Sequence, residues 1–185
     1  MDRHNWLAPF AMACLVLSAG MAMGHAFAMW IDTLPVGRVT QVDLVPTIAP
    51  ADDRSGWSLF AFILRNNLAV YLLLLFGLVS AGAVTFVILL GNGIALGQVI
   101  GLARLSGMSN GTLVELLLPH AVLELGTLCI AGAVGFQGFR LVLGLSTVGG
   151  VSLRSLRLGL VLGFGVCALT TAAGVEAFVT AEFAK

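Results

Sequence analysis

The chain has 185 residues, of which 59% are hydrophobic and 10% charged; its formal net charge is zero and its mean hydropathy is +1.04. A soluble domain carries about 25% charged residues, so these polar side chains are too few to cover a water-soluble globule. The zero net charge and the absence of a basic run argue against nucleic acid as a partner. The composition predicts an all-α, polytopic transmembrane bundle in a single domain, residues 1–185, with a lipid bilayer as its solvent.

The first apolar run covers residues 9–30 and has about the 20 residues that a membrane helix needs. It also resembles a signal peptide, because Ala26-Phe27-Ala28 has the form of an A-x-A cleavage site after a suitable apolar region. We favour a retained anchor, since the run is apolar over the full length that a bilayer requires. Cleavage would leave one span fewer and the same sidedness.

The only extended polar stretch, residues 31–56, follows this run and holds three prolines and four aspartates. These residue types are typical of a loop, and we expect this loop to be external. Ser55 belongs to a residue type that caps helices. Trp57, an aromatic type that is enriched at membrane interfaces, then opens the next helix.

The long apolar stretch of residues 57–103 exceeds the length of one span and fits two. Ser80-Ala81-Gly82 is the predicted hinge between them. Two further apolar runs follow and bring the expected count to about five spans. The predicted spans are residues 9–30, 57–79, 83–103, 113–139 and 156–178.

Basic residues concentrate before the last predicted span, where Arg140, Arg154 and Arg157 make this loop the most basic one. Such loops stay in the cytoplasm, whereas the 31–56 loop is acidic on balance, which is compatible with the outside. Five spans with a cytoplasmic N-terminus place both loops on these sides. We therefore expect an N-in, C-out topology.

Glycines recur every four residues at Gly93, Gly97 and Gly101, and again at Gly159 and Gly163. In lipid, small residues at this spacing let two helix backbones approach closely, so close helix packing is the favoured interpretation. The alternative is that some of these glycines line a pore or a flexible gate.

Polar residues at membrane depth are costly and tend to face the bundle interior, which makes them candidates for function. Asn66 and Asn67 would lie well inside a helix that begins near Trp57, and they would need hydrogen-bond partners. If residues 57–64 instead form a surface helix, the two asparagines mark the bend into the membrane. Asn92 lies between two glycines in an apolar run. We expect its side chain to donate hydrogen bonds across a close helix contact.

His120 and Glu124 follow Pro119 and lie four residues apart, hence on one helical face. The proline lacks an N–H, so we expect the helix to begin or to kink there. His120 and the Asn92 amide are the expected partners of Glu124. The pair could form a structural clamp, handle a ligand or a proton, or contribute to a catalytic metal site.

No metal or cofactor is expected. His120 and Glu124 are two ligands, whereas a zinc site needs three or four. The three cysteines lie singly in apolar runs without a CxxC spacing, where a thiol behaves as a small hydrophobe. His25 and Glu176 lie near the ends of their spans, and we expect them to reach the membrane interface.

The pattern of these motifs resembles the stage II sporulation protein M family over about residues 60–138. Its motifs, in chain order, are Asn66-Asn67, Asn92-Gly93 with Gly97, and Pro119-His120 with Glu124. Ala121 departs from the family, whose members usually have glycine there, and this affects only close backbone approach. The resemblance implies a multi-pass protein of the bacterial inner membrane. The family's namesake scaffolds two cell-wall hydrolases in endospore formers, whereas most relatives occur in bacteria that never sporulate.

The leading functional hypothesis is a non-catalytic membrane component that positions other membrane or envelope proteins, with a homo-oligomer left open. It depends on the family resemblance and on the lack of a Ser/His/Asp set, an HExxH motif or a phosphate loop. The alternative is a small transporter or channel subunit whose site is Asn66, Asn67, Asn92, His120 and Glu124. An intramembrane enzyme that uses His120 and Glu124 is a third, weaker hypothesis.

Overall fold

The computed structural model describes residues 6–33, 56–142 and 156–180, without the side chains of residues 116–121 and 179–180. These residues form α-helices and one π-helical turn, and they contain no strand. The helices are α1 (Leu7–Asp32), α2 (Trp57–Phe76), α3 (Ala83–Leu105), α4 (Asn110–Phe136), α5 (Gly138–Val142) and α6 (Leu158–Val175), and the π-helical turn is Glu176–Thr180.

Five helical stretches of the described chain are long and apolar enough to cross a membrane. This confirms the predicted all-α polytopic bundle. The stretches are Leu7–Asp32, Trp57–Phe76, Ala83–Leu105, Val122–Val142 and Leu158–Phe178. Nearly all of the predicted external loop lies outside the described residues, and the N-in, C-out topology stays a prediction.

The closest helix pair is α1 with α3, and glycines make this approach possible. A Cβ built on Gly93 would lie 3.0 Å from the Cα of Gly20, and one built on Gly97 would lie 2.8 Å from the backbone nitrogen of His25. Gly101 faces Ala28 one turn further on. The predicted close packing is thus confirmed for the α3 glycines, because their missing side chains let the backbones touch.

The glycines of α6 differ from those of α3. Gly159 and Gly163 have no neighbour within 4 Å of a built Cβ among the described residues, and both are exposed. Their expected packing contact is therefore not made within this part of the chain. The spacing of small residues predicts an interface only when another helix lies opposite, and the sequence did not show which helix that would be.

The connection between α2 and α3 is a tight turn that confirms the predicted hinge at Ser80-Ala81-Gly82. Ala81 has a φ of 52° and Gly82 a φ of 82°, so the chain reverses through left-handed backbone. Thr85, fully buried at the start of α3, donates its hydroxyl to the carbonyl oxygen of Leu74 in α2 at 2.8 Å. This hydrogen bond ties the two helices together directly behind the turn.

The second half of α4 is the centre of the bundle, because residues 131–138 are all buried. They are mostly alanine and glycine, and α1, α2, α3 and α6 pack against this helix. Gly135 lies against Thr85 and the carbonyl oxygen of Leu74, so any side chain at this position would collide with the α2–α3 pair. Small residues in α4 thereby allow the surrounding helices to converge.

The start of α4 bears on the two alternatives expected at Pro119. The helix begins at Asn110, where the Ser109 hydroxyl accepts a hydrogen bond from the Thr112 backbone N–H at 3.1 Å, and it continues through Pro119. Of these alternatives, a helix start is excluded, because a serine N-cap earlier in the chain supplies the start signal, and a kink there stays a prediction. The observed start lies near the first residue of the predicted span, residues 113–139. Ser55, the predicted cap of the preceding span, lies outside the described residues, and Gly56 occupies the N-cap position of α2.

The directions of the helices follow from their contacts. α1 and α3 are parallel, since Gly20 meets Gly93 and Ala28 meets Gly101. α2 and α6 are antiparallel, because the ring of Trp57 lies edge-on to that of Phe178 at one end, while Tyr71 contacts Val161 further along. These alternating helix directions place the start of α1, the α2–α3 turn and the end of α4 at one face of the bundle.

Candidate intramembrane polar site

The centre of the candidate site is a contact between Asn67 of α2 and Glu124 of α4. The side-chain amide of Asn67 donates a short hydrogen bond to Oε1 of Glu124, and both side chains are half-buried. Asn67 lies about 15 Å along α2 from Trp57, at 1.5 Å per residue, which is close to the middle of a membrane. Two of the predicted site residues therefore meet between two helices at depth.

This contact gives Glu124 a partner that was not predicted, and the predicted Asn92 amide has another acceptor. Asn92 donates its amide to the carbonyl oxygen of Ile88 at 2.8 Å, within its own helix α3, and not across a helix contact as expected. An asparagine side chain reaches the carbonyl one turn earlier without any tertiary partner, so local geometry satisfies it. Asn92 thus has a local structural role among the described residues.

The other two predicted site residues are not shown to join the contact. Asn66 precedes Asn67 in α2 but is exposed. Consecutive residues of a helix point about 100° apart, so the two asparagines do not face the same neighbour. The backbone of His120 belongs to α4, whereas its side chain lies outside the described residues. Its proximity to Glu124 stays a prediction from the four-residue spacing.

Glu176 is a site residue that the sequence analysis undervalued. Its carboxylate is half-buried and close enough to Glu124 for the two acids to interact electrostatically. It also begins the π-helical turn Glu176–Thr180, and π-helical turns occur often at functional sites. The available signal was an acidic residue inside an apolar run, which is rarely accidental.

An aromatic cluster covers the neighbouring end of α2. The ring of Phe178 lies 5.2 Å from the ring of Trp57 and 6.2 Å from that of Phe60. Trp57 and Phe60 are themselves 5.7 Å apart in an edge-to-face arrangement. These rings pack the turn that carries Glu176 against α2, and aromatic pairs of this geometry each contribute about 0.5–1.5 kcal/mol beyond their buried area.

The buried hydroxyl of Tyr71 forms a second link between helices next to this site. It donates to the carbonyl oxygen of Val161 in α6 at 2.7 Å, and Gly165 packs against the ring. Tyr71 lies one turn beyond Asn67, so successive turns of α2 are bound to α4 and then to α6. The polar groups of α2 thus hold the three helices in register.

The chemistry of the site is that of acids with an amide donor. The Asn67 amide donates to one oxygen of Glu124, and a carboxylate has a second oxygen, which can accept a hydrogen bond, a proton or a cation. Among residues 6–33, 56–142 and 156–180, no three potential ligands converge on a metal position. The geometry therefore supports a helix clamp or a proton or cation contact.

A second polar contact lies at the far end of the α1–α3 pair. Arg104 lies 3.0 Å, through its Nη1, from Nε2 of His25. A guanidinium only donates, so Nε2 accepts and the proton of a neutral imidazole is on Nδ1. His25, expected to be an interfacial histidine, is thus bound by Arg104.

Comparisons with known proteins extend this description. The family model described as Stage II sporulation protein M matches residues 10–181. An uncharacterized protein of Methanocaldococcus jannaschii is 36% identical over 78 residues, and the match covers 42% of this chain and 44% of that protein. No solved structure matches the chain. With a family model over nearly its whole length and five helices able to span a membrane, the chain belongs to the stage II sporulation protein M family of multi-pass membrane proteins.

Proposed function

We propose that the protein is a non-catalytic component of the bacterial inner membrane that positions partner proteins in a membrane complex. The observation that carries this proposal is the use of half-buried and buried polar groups as links between helices. Asn67 binds Glu124, Tyr71 binds the Val161 carbonyl, and Thr85 binds the Leu74 carbonyl. A bundle fastened in this way is a rigid platform, which is what a positioning component requires.

The partners are other membrane or envelope proteins, or further copies of this chain. Large apolar side chains are exposed on the bundle, among them Leu15 at 70% and Leu160 at 66% exposure. In the membrane these faces meet lipid or other helices. A partner would pack against them through van der Waals contacts and interhelical hydrogen bonds.

Crosslinking followed by affinity purification from native membranes tests this proposal. We expect the tagged full chain to recover at least one other protein, or a second copy, in stoichiometric amount. An unrelated tagged protein of similar size and span number, expressed at the same level, is the control. Recovery of the chain alone, after efficient crosslinking of a known complex in the same membranes, would overturn the proposal.

A second candidate function is proton or cation transfer through the bundle. The pairing of Glu124 with Asn67, and the nearby Glu176, favour it, because acids inside membrane spans often belong to such paths. In vesicles that contain the purified chain and a pH-sensitive dye, this function predicts a potassium-gradient-driven proton flux. Glu124→Gln would abolish the flux, whereas Glu115→Gln, at an exposed position of the same helix, would preserve it. Equal traces for all three proteins and for empty vesicles would exclude proton transfer.

A further inference from the structure

A cavity of about 610 Å³ lies at the face of the bundle where α1 begins and α4 ends. Its walls come from the first turns of α1, the α2–α3 turn and the end of α4 with α5. Most of the lining is apolar, with Met12, Phe86, Phe136 and Phe139 as its large side chains. The volume falls within the roughly 300–1,000 Å³ of typical ligand pockets.

Gln137, between α4 and α5, contributes an unusual polar group to this cavity. Its side chain is 1% exposed, and neither its amide nitrogen nor its amide oxygen has a hydrogen-bond partner among the described residues. A buried amide without partners is costly, so native structures rarely retain one unless something else satisfies it. Gln137 borders the cavity while both of its amide atoms are covered by protein, so the side chain has to rotate toward the cavity before a bound molecule can satisfy it.

Arg140 supplies the charge of the site. It lies one turn beyond Gln137, is exposed, and lines the same cavity. Helix ends meet at this face, so the cavity lies at the level where lipid headgroups begin. A ligand that fits must combine an apolar body with an anionic, oxygen-rich head.

We infer that this cavity binds one anionic phospholipid of the surrounding membrane. Its acyl chain lies against the phenylalanine and methionine walls, its phosphate pairs with Arg140, and an ester or phosphate oxygen accepts a hydrogen bond from the Gln137 amide. Arginine is well suited to phosphate because its planar donors match the phosphate oxygens. The partly exposed Met12, Phe86 and Phe139 leave the cavity open to lipid.

Native mass spectrometry of the full chain in mild detergent tests this inference, with phosphatidylglycerol and phosphatidylcholine as probes. We expect one retained phosphatidylglycerol, bound about tenfold more tightly than phosphatidylcholine. Both lipids carry the phosphate that Arg140 binds, but the choline cation repels the guanidinium and makes the phosphatidylcholine headgroup neutral overall. Arg140→Gln should remove this preference without lowering the melting temperature of the lipid-free protein. Arg104→Gln, on an exposed arginine outside the cavity, is the matched control and should keep the preference.

Two further variants distinguish lipid binding in the cavity from non-specific lipid binding to the outer surface of the helices. Ala83→Phe fills the cavity from an exposed lining position and should abolish retention of both lipids. Gln137→Leu should weaken both lipids similarly, since it removes a hydrogen bond and no charge. Equal retention by wild type, Arg140→Gln and Ala83→Phe would overturn the inference. Saturable binding of inorganic phosphate alone, with no lipid retained, would overturn it as well.

Discussion

Replacing Gly97 by leucine should force α1 away from α3 and destabilise the protein by about 3 kcal/mol, the upper part of the usual range for overpacking. A side chain at this position would collide with the carbonyl oxygen of Met21 and with the backbone of His25. Backbone atoms of a helix cannot turn aside as a flexible side chain does, so the helices must separate. The separation would expose the glycine faces of both helices.

Gly91→Leu is the matched control, because it makes the same change in the same helix. Gly91 is exposed and has nothing within 4 Å of a built Cβ among the described residues. Leucine is a better helix former than glycine by about 0.5–1 kcal/mol, so this variant should be neutral or slightly more stable. Thermal unfolding in one detergent measures both variants. Equal melting temperatures would contradict the α1–α3 interface described above.

The second large effect is expected at the contact between Asn67 and Glu124. Glu124→Leu should cost about 1–3 kcal/mol, because it leaves the half-buried Asn67 amide without its acceptor. Glu124→Gln should cost less, since the glutamine oxygen still accepts the hydrogen bond. Glu115→Leu, at an exposed position of α4, is the control and should leave the stability within about 0.5 kcal/mol.

A double-mutant cycle isolates the contact from other effects of each substitution. With Asn67→Leu as the second variant, we expect a coupling free energy of about 0.6–1.7 kcal/mol, the range for interhelical hydrogen bonds in membranes. Reversible unfolding in mixed micelles provides the four free energies. Strict additivity of Glu124→Leu and Asn67→Leu would show that the two side chains do not interact in the folded protein.

The spans were predictable because their signal is local. A run of about 20 apolar residues fits one span as a helix, because a helix satisfies its backbone hydrogen bonds within a single segment inside lipid. The hinge at Ser80-Ala81-Gly82 was predictable for a similar reason, because small residues interrupt the apolar pattern there and Gly82 tolerates left-handed backbone. At Pro119 the sequence left two alternatives, a helix start or a kink, and the Ser109 cap starts the helix before the proline.

The candidate site was predicted in part. The rarity of polar residues identified Asn67 and Glu124, whose side chains form a hydrogen bond between two helices. It also identified Asn92, whose amide donates to a carbonyl of its own helix. Spacing along one helix identifies residues that share a face, but it does not say which other helix that face meets. Glu176 was undervalued for this reason, since only the packing of the last turn against α2 brings it near Glu124.

Local patterns in the chain are sufficient for the class of this protein: its apolar runs indicate an all-α membrane bundle, and its ordered motifs indicate the stage II sporulation protein M family. Tertiary packing is needed to know that Gly93, Gly97 and Gly101 meet α1 while Gly159 and Gly163 face outward, and that Asn67 is a partner of Glu124. It alone also brought Gln137 and Arg140 to one cavity. The physical reason is that membrane insertion depends on the composition of each segment, whereas helix pairing depends on the shapes and hydrogen bonds of two segments far apart in the chain.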